Sequence, residues 1–105
     1  MRDFMGMMKQ AAQLQSKMQE MQAELDTIEV EGVAGGGMVA VTLTAKGALK
    51  GVKIDDSLMQ PSEKEIVEDL LVTAHADARR KAETVLAEKM KAVTGGLPLP
   101  PGLLG

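Results

Sequence analysis

The chain has no cysteine, no tryptophan and no tyrosine, and Phe4 is its only aromatic residue. Without thiols there is no disulfide framework, no thiolate metal site and no cysteine nucleophile, a pattern compatible with a reducing compartment. Without aromatic platforms, bases cannot be stacked, which disfavours a sequence-specific reader of single-stranded RNA or DNA. Long apolar runs are missing too. After Met-Arg-Asp-Phe-Met-Gly, Lys9 and a series of glutamines arrive before any stretch reaches signal-peptide or membrane-spanning length, so the chain reads as cytoplasmic, with no membrane partner.

What remains is 105 residues, 45% hydrophobic and 26% charged, with nine methionines, enough for one domain with an aliphatic core. The formal charge of −3 argues mildly against nucleic acid. Phosphate contacts, however, depend on where the basic side chains sit and not on their sum.

Residues 4–28 carry the clearest period. Phe4, Met7, Ala11, Leu14, Met18, Met21, Leu25 and Ile28 follow one another at steps of three and four, with Lys9 and glutamines between them, which predicts a long amphipathic helix with a heptad-like seam. From residue 28 the period changes to two. Ile28 and Val30 alternate with Glu29 and Glu31, Val39, Val41 and Leu43 with Ala40, Thr42 and Thr44, and Val52 and Ile54 flank Lys53. These are three half-buried strands of an antiparallel meander, turning at Val33-Ala-Gly-Gly-Gly37 and at Lys46-Gly47. The glycines lack the lysine and hydroxyl that a phosphate loop needs after its last glycine.

After Pro61, Ser62 and Glu65 have the spacing of a capping box. A second long helix is expected to run to about Val93, with Val67, Leu71, Ala74, Ala78, Ala82 and Val85 on one face, where the alanines would admit a close neighbouring helix. Gly95-Gly96 ends it, and Pro98, Pro100 and Pro101 keep the tail out of regular structure. The fold class is therefore α+β, an α-β-β-β-α protomer in a single domain over 1–94 with a flexible Gly/Pro-rich tail over 95–105. Three strands give a sheet only about 15 Å wide. Such a sheet cannot cover two helices of this length, and a symmetric dimer would bury the stripes and strand edges left over.

Charge is uneven along the second helix. Residues 62–78 hold one lysine against five acids, whereas 79–94 hold Arg79, Arg80, Lys81, Lys89 and Lys91 against Glu83 and Glu88. The helix macrodipole favours that arrangement by itself. At 100° per residue, though, Arg80 and Lys91 fall on one outward side opposite the alanines, while Lys9 points away from the first helix's seam and Lys17 lies on its flank. Such bases can meet DNA phosphates.

Catalysis has little foothold. His75 and Asp77, two apart on a helix, face different ways. Asp55 and Asp56 have no further ligands at a recognisable spacing for a cation and fit turn chemistry. Ser57, Ser62 and Thr94 lack a partnered base in sequence. No catalytic residue, metal ligand, cofactor or small-molecule substrate is indicated.

Several segments in this order (Met8-Lys-Gln-Ala-Ala-Gln, Gly32-Val-Ala-Gly-Gly-Gly-Met-Val-Ala-Val-Thr, Val52-Lys-Ile-Asp, Glu68-Asp-Leu, Asp77-Ala-Arg-Arg and Thr94-Gly-Gly-Leu-Pro-Leu-Pro-Pro-Gly) resemble the bacterial YbaB/EbfC nucleoid-associated proteins over nearly the whole chain. The resemblance implies a homodimer with paired sheets as a hub and long helices projecting as tweezers. It also implies double-stranded DNA binding in the cytoplasm, at the nucleoid, with effects on nucleoid organisation and gene expression. Carried over by position, the DNA-binding residues would be Lys9, Lys17, Arg79, Arg80, Lys81 and Lys91. Asp56, where the family often has proline, and Ala76, where it often has asparagine, depart from the pattern without touching these bases. The competing reading is a coiled-coil protein-interaction module whose methionine-rich seam grips a partner without binding DNA.

Overall fold

The computed structural model describes residues 2–94. Its elements follow the expected order: α1 (Arg2–Thr27), β1 (Glu29–Ala34), β2 (Val39–Thr44), β3 (Leu49–Ile54) and α2 (Lys64–Thr94), with 3-10 turns at Asp56–Leu58 and Pro61–Glu63 before α2. The expected helix end at Gly95-Gly96 and the tail over 95–105 lie outside the described residues.

The α1 sequence is rich in unbranched helix formers and loses them at Thr27-Ile28, where β-branched residues begin. The last turn closes with the Thr27 hydroxyl donating to the Glu24 carbonyl at 2.8 Å, and the chain enters a three-stranded antiparallel sheet of order β1-β2-β3. β1 continues through Ala34, two residues into the expected turn, because Val33 and Ala34 still pair with Ala40 and Val39. Gly35, Gly36 and Gly37 then all take positive φ, which side chains bearing a Cβ rarely adopt. Pairing places Val30, Gly32 and Ala34 opposite Leu43, Val41 and Val39, on the face that α2 covers.

α2 lies over β1 and β2, where its Ala74 and Ala78 join Ala34, Val39, Val41, Leu43 and Leu58 in the main core. The alanines do admit a close neighbour, but it is a strand and not the expected helix. A Cβ at Gly32 would fall 2.2 Å from both the Ala74 carbonyl oxygen and the Ala78 nitrogen, so helix and strand backbones meet there with no room for a side chain. The start of α2 also differs from expectation. The Pro61–Glu63 turn, with the Glu63 N–H donating to the Gln60 carbonyl at 2.9 Å, leads into the helix in place of a Ser62–Glu65 capping box.

β3 is the strand that α2 leaves open. Val52 and Leu49, paired with the buried Val41 and Leu43, are 43% and 61% exposed, so Val52 faces inward as its alternation predicts yet has no cover. The α1 seam is likewise covered over part of its length only. Met21 and Leu25 are buried with Ala45 against Met18, Ile28, Val85, Met90 and Val93, whereas Phe4, Met7 and Ala11 stand exposed. Lys89 pairs with Glu24 at 2.8 Å, and Lys17 and Met21 share a groove with Ala92 and Val93, so α1 and α2 run antiparallel and overlap near their C-terminal and distal ends. About 22 Å of α1 projects past the end of α2 at ~1.5 Å per residue. The described chain measures 72 × 25 × 16 Å, and its radius of gyration of 19.7 Å far exceeds the roughly 13 Å of a compact domain of this size.

Candidate nucleic-acid interface

The helical arm and the α2 face above β1 carry all six basic residues singled out in the sequence, and the structure gives them different surroundings. Lys9, Lys17 and Lys91 are exposed along the arm and form no ion pair among the described residues. Arg79 pairs with Glu83 one turn on at 3.4 Å, and Arg80 pairs with Asp77. Both arginine side chains remain at least 70% exposed. Exposed pairs of this kind contribute about 0–1 kcal/mol, so a phosphate can replace the carboxylate at little cost. Lys81 is held differently. Its Nζ donates to the Glu31 carbonyl at 2.8 Å and lies 3.3 Å from Asp77, which ties α2 to strand β1.

Asp77 is the residue that sequence reasoning missed. Only 17% of its side chain is exposed, and one carboxylate oxygen accepts the Val33 N–H at 3.0 Å. That N–H holds the carboxyl below its ordinary pKa, and Lys81 and Arg80 add to the effect against the opposing pull of partial burial. Together Asp77 and Lys81 occupy an N–H and a carbonyl on the outer side of β1, so part of that edge of the sheet is already engaged within the chain. The available signal was an acid set between the buried Ala74 and Ala78, three residues before Arg80. Read from His75, it showed only that the two residues face apart.

Because the pKa of Asp77 is depressed in the folded chain, its stabilisation is complete above the ordinary carboxylate pKa of about 3.9 and is lost as pH falls through the lower folded value. Asp55 behaves alike, since the Ser57 hydroxyl and N–H both donate to it and lower its pKa. Asp77→Asn should therefore flatten the fall of melting temperature below about pH 4 without abolishing it, as thermal scans across pH would show. The Asp55–Ser57 contacts also bear out turn chemistry for that aspartate.

Among the described residues there is no group of three or more His, Asp or Glu side chains placed to hold a metal ion, and no helix long and apolar enough to cross a membrane. His75 is exposed, as its surface reading requires.

A long basic arm on a small α-β-β-β-α protomer defines a class to which known proteins can be compared. The fold matches the crystal structure of an uncharacterized protein from Helicobacter pylori with a TM-score of 0.75 at 22% identity, over 85% of this chain and 94% of that one. The model of the YbaB/EbfC DNA-binding family matches residues 1–97, and the chain belongs to that family. A nucleoid-associated protein of Bradyrhizobium sp. strain ORS 278 is 71% identical over 97% of this chain and 96% of its own length. One from Bradyrhizobium diazoefficiens is 68% identical over 100% and 99%.

Proposed function

We propose that this protein is a nucleoid-associated, non-enzymatic protein that binds double-stranded DNA in the cytoplasm as a homodimeric clamp, influencing nucleoid organisation and gene expression. The observation that carries the reading is the arm itself. Lys9, Lys17 and Lys91 are exposed along it and form no ion pair among the described residues, Arg79 and Arg80 are only lightly paired behind them, and Phe4 is the single aromatic side chain on it. Lysine and arginine so placed neutralise phosphates and release counterions, which gives affinity without reading sequence. Family membership and the names of the close relatives support the same conclusion.

The clamp needs two arms, and the open edge at β3 supplies a way to join them. The outer edge of β1 is partly engaged by Asp77 and Lys81, while β3 presents an unpaired edge beside the exposed Leu49 and Val52. Pairing of two β3 strands about a twofold axis removes that edge and covers apolar surface in one step. Lys81, already used within the protomer, contributes to the clamp mainly by holding α2 in place. Mobility-shift titration against two duplexes of unrelated sequence tests the reading: affinities within a few-fold of one another are expected. Absence of retention at low salt, with salt-insensitive capture of one protein instead, would favour the coiled-coil module.

A further inference from the structure

We propose that the tip of α1 is an apolar wedge that enters the minor groove and parts a base step, with Phe4 as the inserting side chain. The inference rests on the duplex-binding reading above and names what the arm does to the duplex. Phe4, Met5, Met7 and Met8 stand between 59% and 74% exposed at the free end of the arm. Exposed apolar clusters rimmed by polar residues mark contact surfaces. Only part of this one belongs to the seam. At 100° per residue, Phe4 and Met7 lie on the ridge that α2 covers further along at Met21 and Leu25, whereas Met8 is turned about 100° from the centre of that ridge and Met5 about 160°. A second α1 laid along the ridge would cover Phe4 and Met7 and leave Met5 and Met8 in water, so a twin helix does not account for the cluster.

The polar residues beside the tip point to a groove of DNA. Lys9 is exposed and forms no ion pair among the described residues, and Gln10, Gln13 and Gln15 follow it. A helix that lies on lipid carries lysine and arginine across its polar face instead. Minor-groove binders combine lysine and glutamine with an apolar side chain such as phenylalanine or methionine, which parts a base step and kinks the duplex. The spacing fits. Phe4 to Lys9 spans about 7.5 Å of helix rise, close to two base-pair steps at about 3.4 Å each, so Lys9 meets a flanking phosphate while Phe4 holds the step open. Pyrimidine–purine steps part most easily and occur in duplexes of any ordinary sequence, which keeps sequence preference weak.

The test uses the full chain and a short duplex carrying 2-aminopurine at a central TA step, with a fluorophore pair at its ends. Binding should raise the 2-aminopurine emission as the step unstacks and should bend the duplex by about 20–90°. In the Phe4→Ala/Met8→Ala variant both signals should be lost and affinity should fall several-fold, while the slope of log affinity against log salt stays that of the parent, because no charge is removed. Phe4→Leu, which keeps an apolar wedge, should retain the kink. Both replaced side chains are exposed, so a circular-dichroism melt of the double variant should overlay that of the parent. A parent that binds the duplex but leaves it straight, with no rise in emission, would overturn the wedge and not the clamp. A parent that retains no duplex at low salt would overturn both. Emission and bending that survive in the Phe4→Ala/Met8→Ala variant would remove these side chains from the contact.

Discussion

Gly32→Ala should destabilise the protein by on the order of 3 kcal/mol, at the upper end for overpacking. The added methyl has no flexible side chain to displace: it meets the Ala74 carbonyl oxygen and the Ala78 nitrogen, each 2.2 Å away. Relief requires the whole of α2 to lift from β1, which loosens Ala74 and Ala78 from the core and stretches the Asp77–Val33 and Lys81–Glu31 contacts together. In a domain of this size such a loss lowers the melting temperature by roughly 12–24 °C. Calorimetry or a thermal circular-dichroism scan reads it directly, and a melting temperature within a few degrees of the parent would show that the helix–strand approach is looser than described. Gly36→Ala, by contrast, meets nothing within 4 Å, although its φ of +68° imposes local strain.

Joint replacement Leu49→Lys and Val52→Lys should leave the protomer folded and prevent the proposed dimer from forming. Both side chains are already largely exposed, so the variant loses little packing within the chain. At a twofold β3 junction, however, four added lysines would face one another across the new contact. Once the arms are independent, DNA affinity should fall by about 100-fold or more, the scale that linkage of two binding sites ordinarily adds. Sedimentation velocity at micromolar concentration, followed by a binding titration, checks both statements. A parent chain that sediments as a well-folded monomer, or a variant that stays dimeric, would remove the β3 junction from the account.

Much of this architecture is legible in the sequence because it is local. The change from a seam spaced by three and four to a period of two marks the end of α1 within a residue, and alternation around Val39, Val41 and Leu43 marks the central strand. What pattern reading cannot supply is the partner on each face. Ala74 and Ala78 read as a contact for another helix, yet they meet Gly32, a residue with no side chain to announce an interface. Ser62 and Glu65 satisfy a capping box by spacing, but Pro61 sets up a 3-10 turn that enters the helix another way. The seam from Phe4 to Leu25 is uniform in sequence, and only the antiparallel overlap with α2 divides it into a covered part and a bare part.

The basic residues show the same limit. Composition and a helical wheel locate Arg79, Arg80, Lys81 and Lys91 on α2 but treat them alike. Three-dimensional placement separates Lys81, bound to the Glu31 carbonyl across fifty residues of sequence, from Lys91, which is exposed on the arm. Asp77, whose contacts join β1, Arg80 and Lys81, is marked locally only by its place between Ala74 and Ala78, which does not name β1 as its partner.

The salt dependence of duplex binding bears most directly on the phosphate clamp. The logarithm of the association constant should fall linearly with the logarithm of salt concentration, with a slope of about −0.9 per phosphate neutralised. In the proposed dimeric clamp, Arg80→Glu with Lys91→Glu would remove two such contacts from each protomer, so the slope should flatten by about 3.6. A slope unchanged by that double reversal would contradict the assignment of these side chains to DNA.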